Sequence, residues 1–136
     1  GMWRTLTSSE WYYLFNTRKN AAYLWSQGKV NGVYGVILLP DNFSKPSSIS
    51  WTPQATNTYS TEQWSTLQAI GAVFLPAAGY RYGRDVLRVQ YYGIYWSSTA
   101  NNQYIAYYLY FYSSILNPQY YNYRYNGFSV RLVQDL

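Results

Sequence analysis

The chain has no cysteine and no histidine, and only five of its 136 residues are acidic. Without cysteine there is no disulfide, no thiol nucleophile and no thiolate metal site. Without histidine the commonest general base and the commonest metal ligand are missing. The acids Glu10, Asp41, Glu62, Asp85 and Asp135 are scattered along the chain. Glu10 and Glu62 fall where helix starts would use them. From such a set no catalytic residue, metal site or cofactor is assigned. Long apolar runs are lacking as well: none approaches the about 18 residues of a membrane-crossing helix. No basic start followed by an apolar stretch marks a secretory leader. Neither a leader nor direct membrane insertion is expected.

What is plentiful is aromatic. Six tryptophans, five phenylalanines and 19 tyrosines make 22% of the chain. The length is that of one ordinary domain, residues 1–136, able to bury a real core. The net charge of +5 comes from ten dispersed basic residues, of which Arg81, Arg84 and Arg88 are the nearest to a cluster. This reads as a surface poor in acids rather than a cationic stripe, and no nucleic-acid partner is expected.

Two segments carry helix starts. In "TLTSSEWYYLFN", Thr7 and Glu10 stand at the spacing where each side chain satisfies an orphan backbone N–H of the first turn, and Trp11, Leu14 and Phe15 give a buried face. In "YSTEQWSTLQAIG", Ser60 and Gln63 repeat the device. Trp64, Leu67 and Ile70 supply the face, and Gly71 suits the stop. Between them Val33–Leu39 reads as a buried strand ended by Pro40 and Asp41, followed by a polar, proline-punctuated loop. After the second helix, Gly-, Tyr- and Ser-rich segments read as short strands joined by turns. Helices early and strands late in one domain indicate an α+β fold with two short helices and small antiparallel sheets. Trp11, Trp64, Phe74 and Trp96 are the expected core aromatics.

The tyrosines concentrate in "YIAYYLYFYSSILNPQYYNYRYNGFSVRLV", nine of them between Tyr104 and Tyr125. Ile105, Tyr107, Leu109 and Phe111 share one face of a period-two strand, and Tyr104, Ala106, Tyr108, Tyr110 and Tyr112 the other. The first set suits a core. The second is a row of phenols, each needing a hydrogen-bond partner if buried. Beyond it, Phe128, Val130 and Leu132 are expected inward, Ser129 and Arg131 outward. Antiparallel sheets favour tyrosine for packing alone. Exposed Tyr, Ser and Asn on a rigid scaffold is also the composition of antibody paratopes, where tyrosine gives large contact area at low entropy cost.

The strings "WRTLTSSEWYYLFN", "IGAVFLPAAGYRYG", "YWSS" and "YNGFSVRLV" resemble, in this order, gut Bacteroidales domains of the C-type lectin-like fold, and are distantly similar to the formylglycine-generating-enzyme superfamily. The resemblance covers nearly the whole chain. It implies a compact α+β unit with neighbouring termini and a C-terminal ligand-bearing region. It extends to the variable proteins of diversity-generating retroelements, in which asparagine codons of the binding face are mutated at adenines. On that likeness the displayed, diversified set is Tyr104, Tyr108, Tyr110, Tyr112, Ser114, Tyr120, Tyr121, Asn122 and Tyr123. Formylglycine chemistry is not inherited, because cysteine is missing. Calcium-dependent sugar binding is not expected either, because "NPQ" at 117–119 has no acid beside it.

The sequence therefore reads as a non-catalytic binding module for a protein or glycan ligand on a cell surface, with Arg124 anchoring the second tyrosine segment. An extracellular, cell-surface or phage-particle location is expected. A metal-independent carbohydrate-binding domain, or a structural subunit of a surface fibre or phage tail, are the alternatives. Single-stranded nucleic-acid binding would interleave basic residues with the aromatics, and none lies between Tyr104 and Tyr123.

Overall fold

The computed structural model describes residues 1–136. Both helix starts form where the spacing puts them. Helix α1, Ser8–Tyr12, opens on Thr7, whose hydroxyl accepts from Glu10 N at 3.1 Å while Glu10 accepts from Thr7 N at 2.7 Å. Arg4 holds the same carboxylate at 2.7 Å and also reaches Asp135 at 2.9 Å. Hydrogen bonds from Arg4 pull the Glu10 pKa down to about 2. The helix then widens into one π-turn, Tyr13–Thr17, closed by Arg18 N donating to Tyr13 O at 3.0 Å. Arg18 turns inward and donates to the carbonyls of Leu14, Leu24 and Leu39 and to Asp41, so every nitrogen of the buried guanidinium has a partner.

Helix α2, Thr61–Ala69, carries the Ser60/Gln63 box. It ends in a Schellman turn: Gly71 N donates to Gln68 O and Ala72 N to Leu67 O, with Gly71 at φ +98°. Leu67 is fully buried. Ile70 is not on the buried face; as the capping residue it is turned out and 40% exposed.

Four strands make the central sheet: β2 Trp25–Val30, β3 Val33–Leu38, β4 Asn57–Tyr59 and β5 Val73–Pro76, in the order β4-β2-β3-β5. Asn31 and Gly32, both at positive φ, turn β2 into β3. Not every pairing is antiparallel. The chain leaves β3, crosses through residues 39–56 and brings β4 back parallel to β2. That polar-looking loop still buries Ile49 and Trp51. Core lies on both faces of the sheet, which is why β3 reads as a continuous apolar run. Val36 and Leu38 pack with Trp11, Phe15, Leu75, Leu109 and Phe111; Ile37 and Leu39 pack with Leu24, Trp51, Tyr59 and Leu67.

A second sheet of three long strands, β8 Tyr92–Ala100, β9 Ile105–Tyr112 and β10 Ile115–Tyr123, lies with β9 central. A hairpin, β6 Tyr80–Tyr82 and β7 Asp85–Leu87, stands beside it. The chain ends pair: β1 Trp3–Thr5 runs antiparallel to β11 Leu132–Gln134. The expected inward set at the end of the chain is corrected by this arrangement. Val130 and Leu132 are about half exposed, because residues 127–129 are held by backbone bonds to Arg81, Ile94 and Trp96 and the chain then leaves for the terminal ribbon. Trp64, Phe74 and Trp96 are half-buried rather than central; Trp64 meets Phe74 edge to face.

Candidate functional site

The three-stranded sheet has two unlike faces. Gly93, Tyr95, Leu109 and Phe111 turn toward α1 and the central sheet. Phe111 lies directly on Gly93, where a Cβ would fall 1.8 Å from its ring. Tyr95 stacks on Phe111 and donates its phenol to Pro76 O at 2.8 Å.

The opposite face carries Tyr92 and Ile94 from β8, Tyr108 and Tyr110 from β9, and Ile115, Asn117, Tyr120 and Asn122 from β10. A bulge in β10 makes this set possible. Asn117 pairs with Tyr110, yet Tyr120 pairs with Tyr108, so three residues of β10 advance against two of β9. Strict alternation would send Asn117 and Tyr120 to opposite faces; the extra residue brings both to one. Pro118 sits in the bulge, where an edge strand tolerates a missing N–H.

This face is roofed by the β6–β7 hairpin and by Tyr125–Phe128. Gly127 and Arg81 exchange backbone bonds of 2.7 and 2.8 Å, tying the C-terminal segment to the hairpin. Between roof and sheet lies a concave pocket of about 700 Å3, within the roughly 300–1,000 Å3 usual for ligand sites. Seven tyrosines line it: Tyr80, Tyr82, Tyr92, Tyr108, Tyr110, Tyr120 and Tyr125. Leu87, Ile94, Ile115 and Phe128 add apolar surface, and Asn117, Asn122 and Asn126 add amides. No charged side chain lines it.

The rings brace one another. Tyr80 and Tyr92 lie parallel with centroids 6.4 Å apart, and Tyr92 meets Tyr110 edge-on at 5.6 Å. Tyr108 is wedged among Trp96, Tyr120 and Phe128. Burial pushes the Tyr108 phenol up to about 12 and raises that of Tyr110, so both keep their protons at neutral pH. None of the seven phenols donates to a backbone carbonyl. Tyr34, Tyr59 and Tyr95, elsewhere in the fold, donate to the carbonyls of Ser113, Ser50 and Pro76.

Of the residues expected on the displayed face, the pocket gathers Tyr108, Tyr110, Tyr120 and Asn122. Tyr108 is a correction to exposure: it is 3% exposed and forms the floor, because Phe128 and Trp96 close over it. Tyr112 packs edge-on against Tyr92 at the flank. Tyr123 stacks on Tyr125 at the rim. Tyr104 is 65% exposed in the turn before β9. Tyr121 is on the opposite side of β10, against Tyr107. Ser114 is in the β9–β10 turn beside a separate depression that includes Trp25, Lys29 and Tyr34. Arg124 donates to Asn102 O at 2.7 Å and so fixes the β8–β9 turn. Sequence reasoning missed Tyr80, Tyr82, Tyr92, Tyr125 and Phe128. The period-two "YRY" at 80–82 and the spacing of Tyr92 and Ile94 were the available signals.

No group of three or more acidic, cysteine or histidine side chains is placed to hold a metal ion, and no helix is long and apolar enough to cross a membrane. The family described as "Domain of unknown function (DUF8237)" matches residues 42–133, and the chain belongs to it. That span contains the whole pocket. No curated protein and no solved structure matches the chain.

Proposed function

We propose that this member of the family is a non-catalytic ligand-binding module whose tyrosine-lined pocket receives a projecting group of a protein or glycan partner at a cell surface. One observation carries the reading: seven phenols converge on one concavity and none of them donates to a backbone carbonyl. A packing role would anchor buried phenols on the backbone, as Tyr34, Tyr59 and Tyr95 are anchored; in the pocket the phenols of Tyr108 and Tyr110 meet only other lining side chains, Asn122 and Tyr92. Rigid aromatic walls supply contact area at little entropic cost, and phenols both donate and accept. Nothing in the lining offers a nucleophile with a base beside it, so binding is the proposed role.

The C-type lectin-like fold and retroelement diversification belong to the same proposal. They are supported by the two capped helices, the paired chain ends and the many Tyr and Asn positions on β9 and β10. The diversified reading predicts a near-copy of the codons for Tyr95–Arg131 close to the gene, differing almost only at adenines, beside a reverse-transcriptase gene. Sequencing the flanking DNA checks it; a flank with no such copy removes diversification and leaves the pocket.

A second reading, metal-independent carbohydrate binding, is favoured by the three amides. Asn117 and Asn122 use their carbonyl oxygens on the backbone N–H groups of Gln119 and Tyr123, which leaves the Asn117 N–H donors unused while the Asn122 amide meets the Tyr108 phenol. The test of pocket binding is a screen of surface-protein ectodomains and of a glycan array, both in chelator. Wild type should bind at least one class, and Tyr120→Ala should lose it. Binding that survives both Tyr120→Ala and Tyr110→Ala would sink the pocket reading.

A further inference from the structure

The hairpin that roofs the pocket is built unlike the rest of the surface. Its segment 81–91 exposes Tyr82, Val86, Val89 and Tyr91, each about half or more, with no protein side of its own to cover them. It also carries Arg81, Arg84 and Arg88 against the single acid Asp85. None of the three guanidinium groups makes an ion pair or a side-chain hydrogen bond. Arg4 and Arg18, by contrast, are fully engaged with Glu10, Asp135 and Asp41. All three lysines, Lys19, Lys29 and Lys45, lie outside this segment.

Arg88 is placed rather than loose. Its backbone is left-handed at φ +59°, and Gln90, two residues on, is so at +70°. Gln90 is tied on both sides, donating through its N–H to Ala77 O and accepting on its side chain from Tyr34 N. This tight turn sets the Arg88 guanidinium 5.7 Å over the ring of Tyr92, a wall of the pocket. The ring holds the cation by its π face and leaves the N–H donors free. Left-handed backbone at a non-glycine residue costs on the order of 1 kcal/mol, and it persists where the surroundings fix it.

We propose that segment 81–91 is a second contact surface, continuous with the pocket, and that its occupant is an acidic protein surface. This rests on the pocket-binding reading and narrows it. Arginine and tyrosine without lysine is the composition of protein–protein contact centres. Exposed valines beside them suit a protein partner and have nothing to offer a sugar hydroxyl. Unpaired guanidiniums call for carboxylates, and the segment's single acid, Asp85, pairs with none of the three. The partner therefore places an apolar or aromatic side chain in the pocket and aspartate or glutamate residues against the exposed arginines of the hairpin. The carboxylates steer the approach and set the register.

The test uses the whole chain and a displayed random-peptide library as probe. Selection on wild type should yield peptides with an apolar or aromatic residue flanked by Asp or Glu. Their affinity should fall about tenfold or more in R84E/R88E, an effect that shrinks as salt is raised. Tyr120→Ala should lose them as well. Thermal melts of R84E/R88E and of the milder R84Q/R88Q establish that the loss is not unfolding. Peptides without acidic enrichment, or peptides indifferent to R84E/R88E yet lost in Tyr120→Ala, overturn the acidic partner and leave the pocket standing. Peptides indifferent to both changes overturn both readings. If no peptide is selected, the protein partner is overturned, and the glycan array alone decides the pocket.

Discussion

Both faces of the β8–β9–β10 sheet bury tyrosine rings, and they do different things with them. Toward the core, Tyr95 stacks on Phe111 and gives its hydroxyl to Pro76 O. Toward the hairpin, Tyr92, Tyr110 and Tyr120 pack ring against ring, and no backbone carbonyl receives their hydroxyls. Ring packing is common to both faces. The difference is where the polar tip goes, and it separates a tyrosine that stabilises the fold from one available to a partner. A large apolar body buried with its O–H anchored on the backbone contributes to folding; the same body with its O–H tied to no backbone group faces the ligand.

Substitutions should break this comparison unequally. Trp11→Ala, beneath the core face and 1% exposed, should cost about 3–5 kcal/mol in urea unfolding. Tyr120→Ala on the other face should cost less than about 1 kcal/mol while removing binding. A finer cut deletes only hydroxyls. Tyr95→Phe removes one of two donors to the Pro76 carbonyl, Ala78 N remaining, and should cost roughly 0.5–1.5 kcal/mol. Tyr120→Phe should leave the unfolding midpoint nearly unchanged, and a comparable loss in both would remove the distinction.

Alkaline titration sharpens it further. Burial lifts Tyr34, Tyr59, Tyr95 and Tyr108 to about 12 from the ordinary 10.0 of a phenol. Their raised values mean the stability they contribute is fully present below pH 10 and is lost as pH climbs through about 12. Phenolate absorbance should therefore show a late group appearing together with unfolding, and Tyr108→Phe should remove one member of it. The smallest effect lies at the edge of the core. Glu10, held to about 2, contributes stability above its ordinary 4.5 that fades as pH falls toward 2. Because Arg4 and Glu10 are both more than a third exposed, water screens the pair. Glu10→Gln should flatten the acid limb of the melting curve modestly, and more so at low salt.

Much of this architecture was legible. Thr7/Glu10 and Ser60/Gln63 are local devices, decided within one turn, and both formed as spaced. The alternation in β9 correctly separated Leu109 and Phe111 from Tyr108 and Tyr110. What alternation could not carry was the step across the bulge at Asn117–Tyr120, because an inserted residue reverses the parity that the reading depends on. It also could not tell a displayed row from the wall of a pocket. That depended on Phe128, Gly127 and the 80–87 hairpin arriving from elsewhere in the chain, contacts with no local signature. Strand β2 was passed over although Asn31-Gly32 marks its turn. Its own residues, Trp25 to Val30, bury Ser26, Gly28 and Val30 and leave Lys29 exposed, so the buried positions carry no apolar run to read.

The terminal ribbon has a mechanical meaning. Trp3 pairs with Gln134 and Thr5 with Leu132, so both ends of the chain emerge at the same end of an antiparallel pair. A pull applied between them acts across the ladder rather than along it. It opens the hydrogen bonds in succession, starting beside the ends, instead of shearing them together. Two side-chain ties lie on that route: Gln134 Nε2 donates to Gly1 O, and Arg4 bridges Glu10 and Asp135. Tension would peel the ribbon before it strained the three-stranded sheet, so the fold has a seam that gives way ahead of the binding pocket.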